Sequence, residues 1–178
     1  MSEPVLLLTG PPGAGKTTIA HLLAERAEQS VHLESDVFFR FVRSGYLEPW
    51  KPESHPQNTI VMQAVAAAAG AYAHGGYLTI VDGIISPAWF LEPLREALSA
   101  DGRSVAYVVL RAPLETCTLR AGRRPAAELR EPSVIAQLWR EFDGLGALEH
   151  HVVDTGDLTP EAAAEVVLDR LKAGDLVV

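Results

Sequence analysis

Gly10-Pro11-Pro12-Gly13-Ala14-Gly15-Lys16-Thr17 satisfies the pattern G-x-x-x-x-G-K-[ST] at every fixed position. Glycines let a backbone close around an oxyanion with successive N–H groups pointing inward. A lysine adds mobile positive charge, and a hydroxyl in the last position can reach Mg²⁺. The flanks agree with a phosphate-binding loop. Val5-Leu6-Leu7-Leu8 is an apolar run of buried-strand character, and Thr17 to Glu28 places Ile19, Leu22, Leu23 and Ala27 on one helical face. The positive end of that helix dipole adds to the anion site. Gly10, Pro11, Pro12, Gly13, Ala14, Gly15, Lys16, Thr17 and Thr18 are therefore the candidate nucleotide-phosphate contacts.

The chain of 178 residues has the length of one domain, residues 1–178, enough to bury roughly 70% of the surface its unfolded form exposes. One cysteine, Cys117, makes an internal disulfide impossible. The first residues lack the basic region and long apolar core of a signal peptide, so a cytoplasmic location is expected. The alanine-rich run from Ala64 to Ala73 is interrupted by Gly70 and ends at His74-Gly75-Gly76, which suits a packed helix and not a membrane span. A net charge of −8 disfavours long nucleic acid as a partner. No N-K-x-D segment of a guanine-specific switch is present.

Downstream, Val31-His32-Leu33 reads as a second strand with Glu34-Ser35-Asp36 at its carboxyl end, where ligands sit in open α/β sheets. Asp36 can cap a helix over Val37 to Val42, act as a catalytic base, or do both. Between Arg40 and Asn58 the chain is irregular, polar and aromatic, and broken by Pro49, Pro52 and Pro56. So long a connection is expected to recognise an acceptor, with Asp36, Arg40, Arg43, Trp50, His55 and Asn58 as candidate contacts. Connection alone is the other reading of the stretch.

A helix is expected over Thr59 to Ala73 on the spacing of Ile60, Val61, Ala64, Val65, Ala68 and Tyr72, ended by Gly75-Gly76. The next apolar run, Tyr77 to Val81, ends in Asp82-Gly83. Asp82 is either a turn residue or the strand-end carboxylate that, with Thr17, holds Mg²⁺ in P-loop enzymes. Helices over Pro87 to Leu98, Leu114 to Arg124 and Ser133 to Gly146 alternate with strands over Val105 to Leu110 and His150 to Val153. Arg120 and Arg124, four apart on one helix, are expected to share a patch. His150 and His151 would face opposite sides of a strand and are not read as a metal site. Thr159 and Pro160 form a cap and first helical position.

The order of these parts resembles the P-loop kinases of the nucleoside-monophosphate-kinase-like group, especially small-molecule kinases of the chloramphenicol phosphotransferase type. The likeness rests on Gly10 to Thr17, Asp36, Val81-Asp82-Gly83, the Arg120 and Arg124 pair, and Val153-Asp154-Thr155-Gly156. It implies an α/β three-layer fold with a five-stranded parallel sheet of order 2-3-1-4-5 and a short lid at about residues 122–132. ATP with Mg²⁺ would be the donor, and a small-molecule hydroxyl the acceptor. Asp36 would take the acceptor proton, Arg120 and Arg124 would touch ATP phosphates, and Asp154, Thr155 and Gly156 would lie beside the adenine. The acceptor stays open among an anionic sugar, a nucleotide and an aromatic antibiotic. A regulatory NTPase without an acceptor is the alternative from another class.

Overall fold

The computed structural model describes residues 4–125 and 128–178. Five strands, β1 (Val5–Thr9), β2 (Ser30–Glu34), β3 (Leu78–Asp82), β4 (Val105–Arg111) and β5 (Val152–Asp154), form one sheet of order β2-β3-β1-β4-β5. All four pairings are parallel. This is the expected order. The helices are α1 (Lys16–Ala24), α2 (Ser35–Arg40), α3 (His55–His74), α4 (Leu91–Ser99), α5 (Leu114–Gly122), α6 (Pro132–Arg140) and α7 (Pro160–Ala173). Short 3-10 turns cover Pro52–Ser54 and Gly146–His151.

Alternation along the strands divides the core in two. Leu6, Leu8, Ile80, Ala106, Val108 and Leu110 meet Ile19, Ala20 and Leu23 of α1 and Ala163, Ala164 and Val167 of α7 on one face. Val5, Leu7, Val81, Tyr107 and Val109 meet Met62, Val65 and Ala69 of α3 and Leu91, Leu94 and Leu98 of α4 on the other. Central β1 is buried throughout, as a strand covered on both faces must be. The crossovers from β1 and β3 leave in opposite senses, which opens a crevice at the strands' carboxyl ends.

Several boundaries differ from expectation. Helix α1 ends at Ala24, leaving Ala27 outside it. Helix α3 starts at His55, and its buried face is Asn58, Val61, Met62, Val65, Ala66 and Ala69, whereas Ile60 is 67% exposed. Alanine on every side of α3 blurred the true stripe. The segment after Ser86 is first a turn, with the Ser86 carbonyl accepting from Trp89 N and Phe90 N, and α4 begins at Leu91. His150 and His151 lie in the 3-10 turn and not in the strand, their ring centroids 4.0 Å apart, so the alternation argument does not apply to them. Thr159 caps α7 as expected, accepting from Ala162 N at 3.2 Å. None of the described helices is long and apolar enough to cross a membrane.

Candidate active site

The loop after β1 seats against its neighbours so closely that side chains are excluded. Gly10 and Gly13 have φ of 139° and 87°, and a Cβ on Gly13 would fall 2.2 Å from the Cys117 carbonyl oxygen. Ala14 N donates to Pro11 O at 3.2 Å, and Thr155 Oγ1 donates to Ala14 O at 3.0 Å. The loop is thus bolted to α5 on one side and to the segment after β5 on the other.

Lys16 begins α1, and its buried Nζ donates to the carbonyls of Gly10 at 2.9 Å and Pro11 at 3.1 Å. Burial lowers its pKa, with the Arg124 charge adding to that, and the negative charges of Asp82 and Asp36 oppose it. An anion entering this loop therefore meets an ammonium short of compensating charge.

Thr17 Oγ1 donates to Asp82 Oδ2 at 2.7 Å, and His32 Nε2 lies 3.2 Å from the same oxygen. Burial pushes the Asp82 carboxyl up, but the His32 contact, the Lys16 charge and the Thr17 hydrogen bond together hold it below its ordinary value. A hydroxyl beside an ionised strand-end carboxylate is an all-oxygen donor pair suited to Mg²⁺ with its retained waters. Thr17 and Asp82 fit that ion.

Two cavities flank the loop. A cavity of about 310 Å³ is lined by Ala14, Gly15, Thr18, Arg120, Thr155 and Leu158. Its position beyond the glycines fits a nucleoside. Within it, Thr155 lines the wall, Asp154 Oδ1 accepts from Gly156 N at 2.8 Å, and Arg120 is near the Thr155 and Gly156 carbonyls at 3.4 and 3.5 Å. Asp154 thus shapes its own turn and does not line the cavity.

The second, a cleft of about 500 Å³, runs from Lys16, Thr17 and Asp82 past Asp36 to a wall of Phe39, Tyr46, Trp50, Trp89 and Phe90. Asp36 is the second residue of α2, exposed, and does not cap it; the cap position is Glu34, which makes no side-chain capping bond. Partial burial and the Asp36 and Glu48 charges raise the Tyr46 phenol pKa, which places Tyr46 in the field of Asp36.

Of the other acceptor candidates, Arg40, Trp50 and Asn58 line the cleft. Asn58 Nδ2, however, donates to Pro49 O at 2.7 Å and Ser54 Oγ at 3.0 Å, so this amide clips the loop onto α3. Arg43 is exposed and outside the lining, and His55 stacks on Phe90 with centroids 6.3 Å apart, also outside it. The two arginines do not share a patch. Helix α5 stops at Gly122, so Arg124 leaves the helical register, lines the cleft and pairs with Glu128 at 3.8 Å, while Arg120 faces the smaller cavity. The lid segment falls partly on residues 126–127, which lie outside the described residues; its flanks contribute Glu128 and Leu129 to the cleft.

Sequence reasoning missed His32, Glu34, Trp89, Phe90 and Glu141, all at this end of the sheet. Glu34 directly precedes Ser35-Asp36, and that strand-end position was the available signal. Glu141 had none, since it directly follows α6 in sequence and reaches the cleft by tertiary packing alone. Burial raises its pKa.

A parallel sheet of this order, with a phosphate loop after its central strand and a strand-end aspartate beside it, defines the P-loop kinase fold. The AAA domain family model (AAA_33) matches residues 5–145, and the chain belongs to that family. Solved structures of the same architecture include the Deinococcus radiodurans tunicamycin resistance protein, at 24% identity and TM-score 0.68 over 99% of this chain and 98% of that one. Shikimate kinase from Acinetobacter baumannii in complex with shikimate aligns at 25% identity and TM-score 0.65, covering 96% of this chain and 94% of its own. Mycobacterium tuberculosis APS kinase in complex with AMPPNP and APS aligns at 20% and 0.69, covering 97% and 99%. No curated protein matches the sequence.

Proposed function

We propose that this chain acts as one cytoplasmic domain, an ATP-dependent small-molecule kinase that moves the γ-phosphoryl group to an acceptor hydroxyl. One observation carries the reading: a single cleft joins Lys16, Thr17 and Asp82 to Asp36 and then to an aromatic wall. Donor and acceptor chemistry thereby meet along one surface.

When bound, ATP would supply the electrophilic phosphorus, and Mg²⁺ held by Thr17 and Asp82 would spread its charge. The chain's residues do the rest. Lys16 exchanges its Gly10 and Pro11 carbonyl partners for phosphate oxygens. Asp36 orients the acceptor hydroxyl and takes its proton as the oxygen bonds to the γ-phosphorus and the bridge to the β-phosphate breaks. Arg124 stands over the same cleft and adds positive charge where it develops. Trp50, Trp89 and Phe90 exclude water, the competing acceptor.

The test is acceptor-dependent ADP release across a panel of hydroxyl compounds, compared with water alone. Tunicamycin, named with one structure of the same fold, belongs on the panel with sugars, nucleosides and aromatic antibiotics. Asp36→Asn is expected to lower transfer by about 10²- to 10⁴-fold with ATP affinity nearly unchanged. Full transfer by that variant removes the base role, and hydrolysis indifferent to every acceptor removes the kinase reading.

A further inference from the structure

On the sheet face that α1 covers, β1, β3 and β4 present Leu6, Leu8, Ile80 and Val108, but β2 presents Ser30, His32 and Glu34. Ser30 is accounted for, because its hydroxyl donates to Ala24 O at 2.8 Å and closes α1. His32 reaches Asp82 through Nε2. His21 sits on α1 one turn after Thr17 and meets the His32 ring edge-on, with centroids 4.8 Å apart and planes at 86°. One nitrogen from each imidazole and one Glu34 oxygen all lie within 4.8 Å of one another. Among the described residues, the side chains of His21 and Glu34 make no hydrogen bond or ion pair that explains this convergence.

We propose that His21, His32 and Glu34 form a binding site for a divalent transition-metal ion of the Zn²⁺ type, distinct from the Mg²⁺ position at Thr17 and Asp82, and that loading it slows phosphoryl transfer. Two imidazoles and one carboxylate, leaving a position for water, are a zinc donor set, whereas Mg²⁺ seeks oxygens. With bonds near 2.1 Å, donors around a tetrahedral ion stand about 3.4 Å apart, so small side-chain rotations close the site. The Asp82 carboxylate against His32 is the outer-sphere partner that fixes a ligating ring.

The slowing of transfer rests on the kinase reading; the metal site does not. Glu34 also lines the acceptor cleft, and Asp82 is shared with Thr17. An ion at this place withdraws Glu34 from the cleft and, through His32, fixes Asp82 against the ring and away from Thr17.

The experiment is calorimetric titration of the full chain with ZnCl₂ under excess Mg²⁺, with Co²⁺ absorption in the visible as a second reading of the donor set. One ion per chain is expected. Affinity is expected to fall at least ~10-fold in His21→Ala and Glu34→Gln and to stay unchanged in His150→Ala. His21 is exposed, so its replacement should leave folding intact; thermal melting checks this, and His21→Gln replaces an unstable alanine variant. Absence of stoichiometric binding, or binding that follows His150 and ignores His21, overturns the site. In turnover, Zn²⁺ is expected to inhibit the native chain and spare His21→Ala. Zinc that binds through His21 without changing transfer overturns the coupling alone, and heats of binding remain readable if no acceptor is ever phosphorylated.

Discussion

Lys16 pays for its position in stability. Its folded pKa lies below the ordinary 10.5, chiefly through burial, so the unfolded chain holds this proton more firmly and the charge opposes folding at every pH below that value. Lys16→Met keeps the aliphatic length without the ammonium. It is expected to abolish transfer while raising the melting temperature, and retained turnover would contradict the role of the loop. Asp82 has the opposite sign. Its folded pKa lies below 3.8, so its contribution is complete above that value and disappears as pH falls through the folded one. Melting temperatures between about pH 5 and 2 are expected to fall less steeply in Asp82→Asn than in the native chain.

Elements set what such residues can do. The phosphate loop tolerates no side chain at Gly13, where positive φ coincides with the Cys117 carbonyl. Gly13→Ala is expected to cost at least about 1–2 kcal/mol from the left-handed backbone alone, before the clash is relieved. Denaturant unfolding measures that loss, and ATP binding should weaken with it. The loop was legible because its chemistry is contiguous in sequence: eight residues carry amides, ammonium and hydroxyl together. Strand ends were legible too, since Asp82 closes the apolar run of β3 and Asp36 lies two residues past β2. The aromatic wall of the cleft was not. His55 and Asn58 belong to α3, which begins four residues before the expected Thr59, and a polar residue there serves loop anchoring as readily as ligand contact. His21 and His32 looked unrelated because only the packing of α1 on β2 makes them neighbours. Arg124 failed differently: periodicity continued to it, while the backbone left the helix at Gly122.

At the scale of the whole molecule, the site is assembled from both ends of the chain. Thr155 Oγ1 reaches the Ala14 carbonyl across 141 residues of sequence. Thr155→Val is expected to leave that buried carbonyl short of a partner, costing about 1–3 kcal/mol, and to lower ATP affinity along with melting temperature. An unchanged affinity would show that the loop holds its shape without the clamp. The clamp also dates the birth of the site. During synthesis at about 5–20 residues per second, Ala14 emerges on the order of 10 s before Thr155. Throughout that interval the glycine loop exists as sequence without its final tether. On the kinase reading, a nascent chain is expected to gain its full nucleotide affinity only once β5 and Thr155 have docked beside the loop, with α7 still to follow.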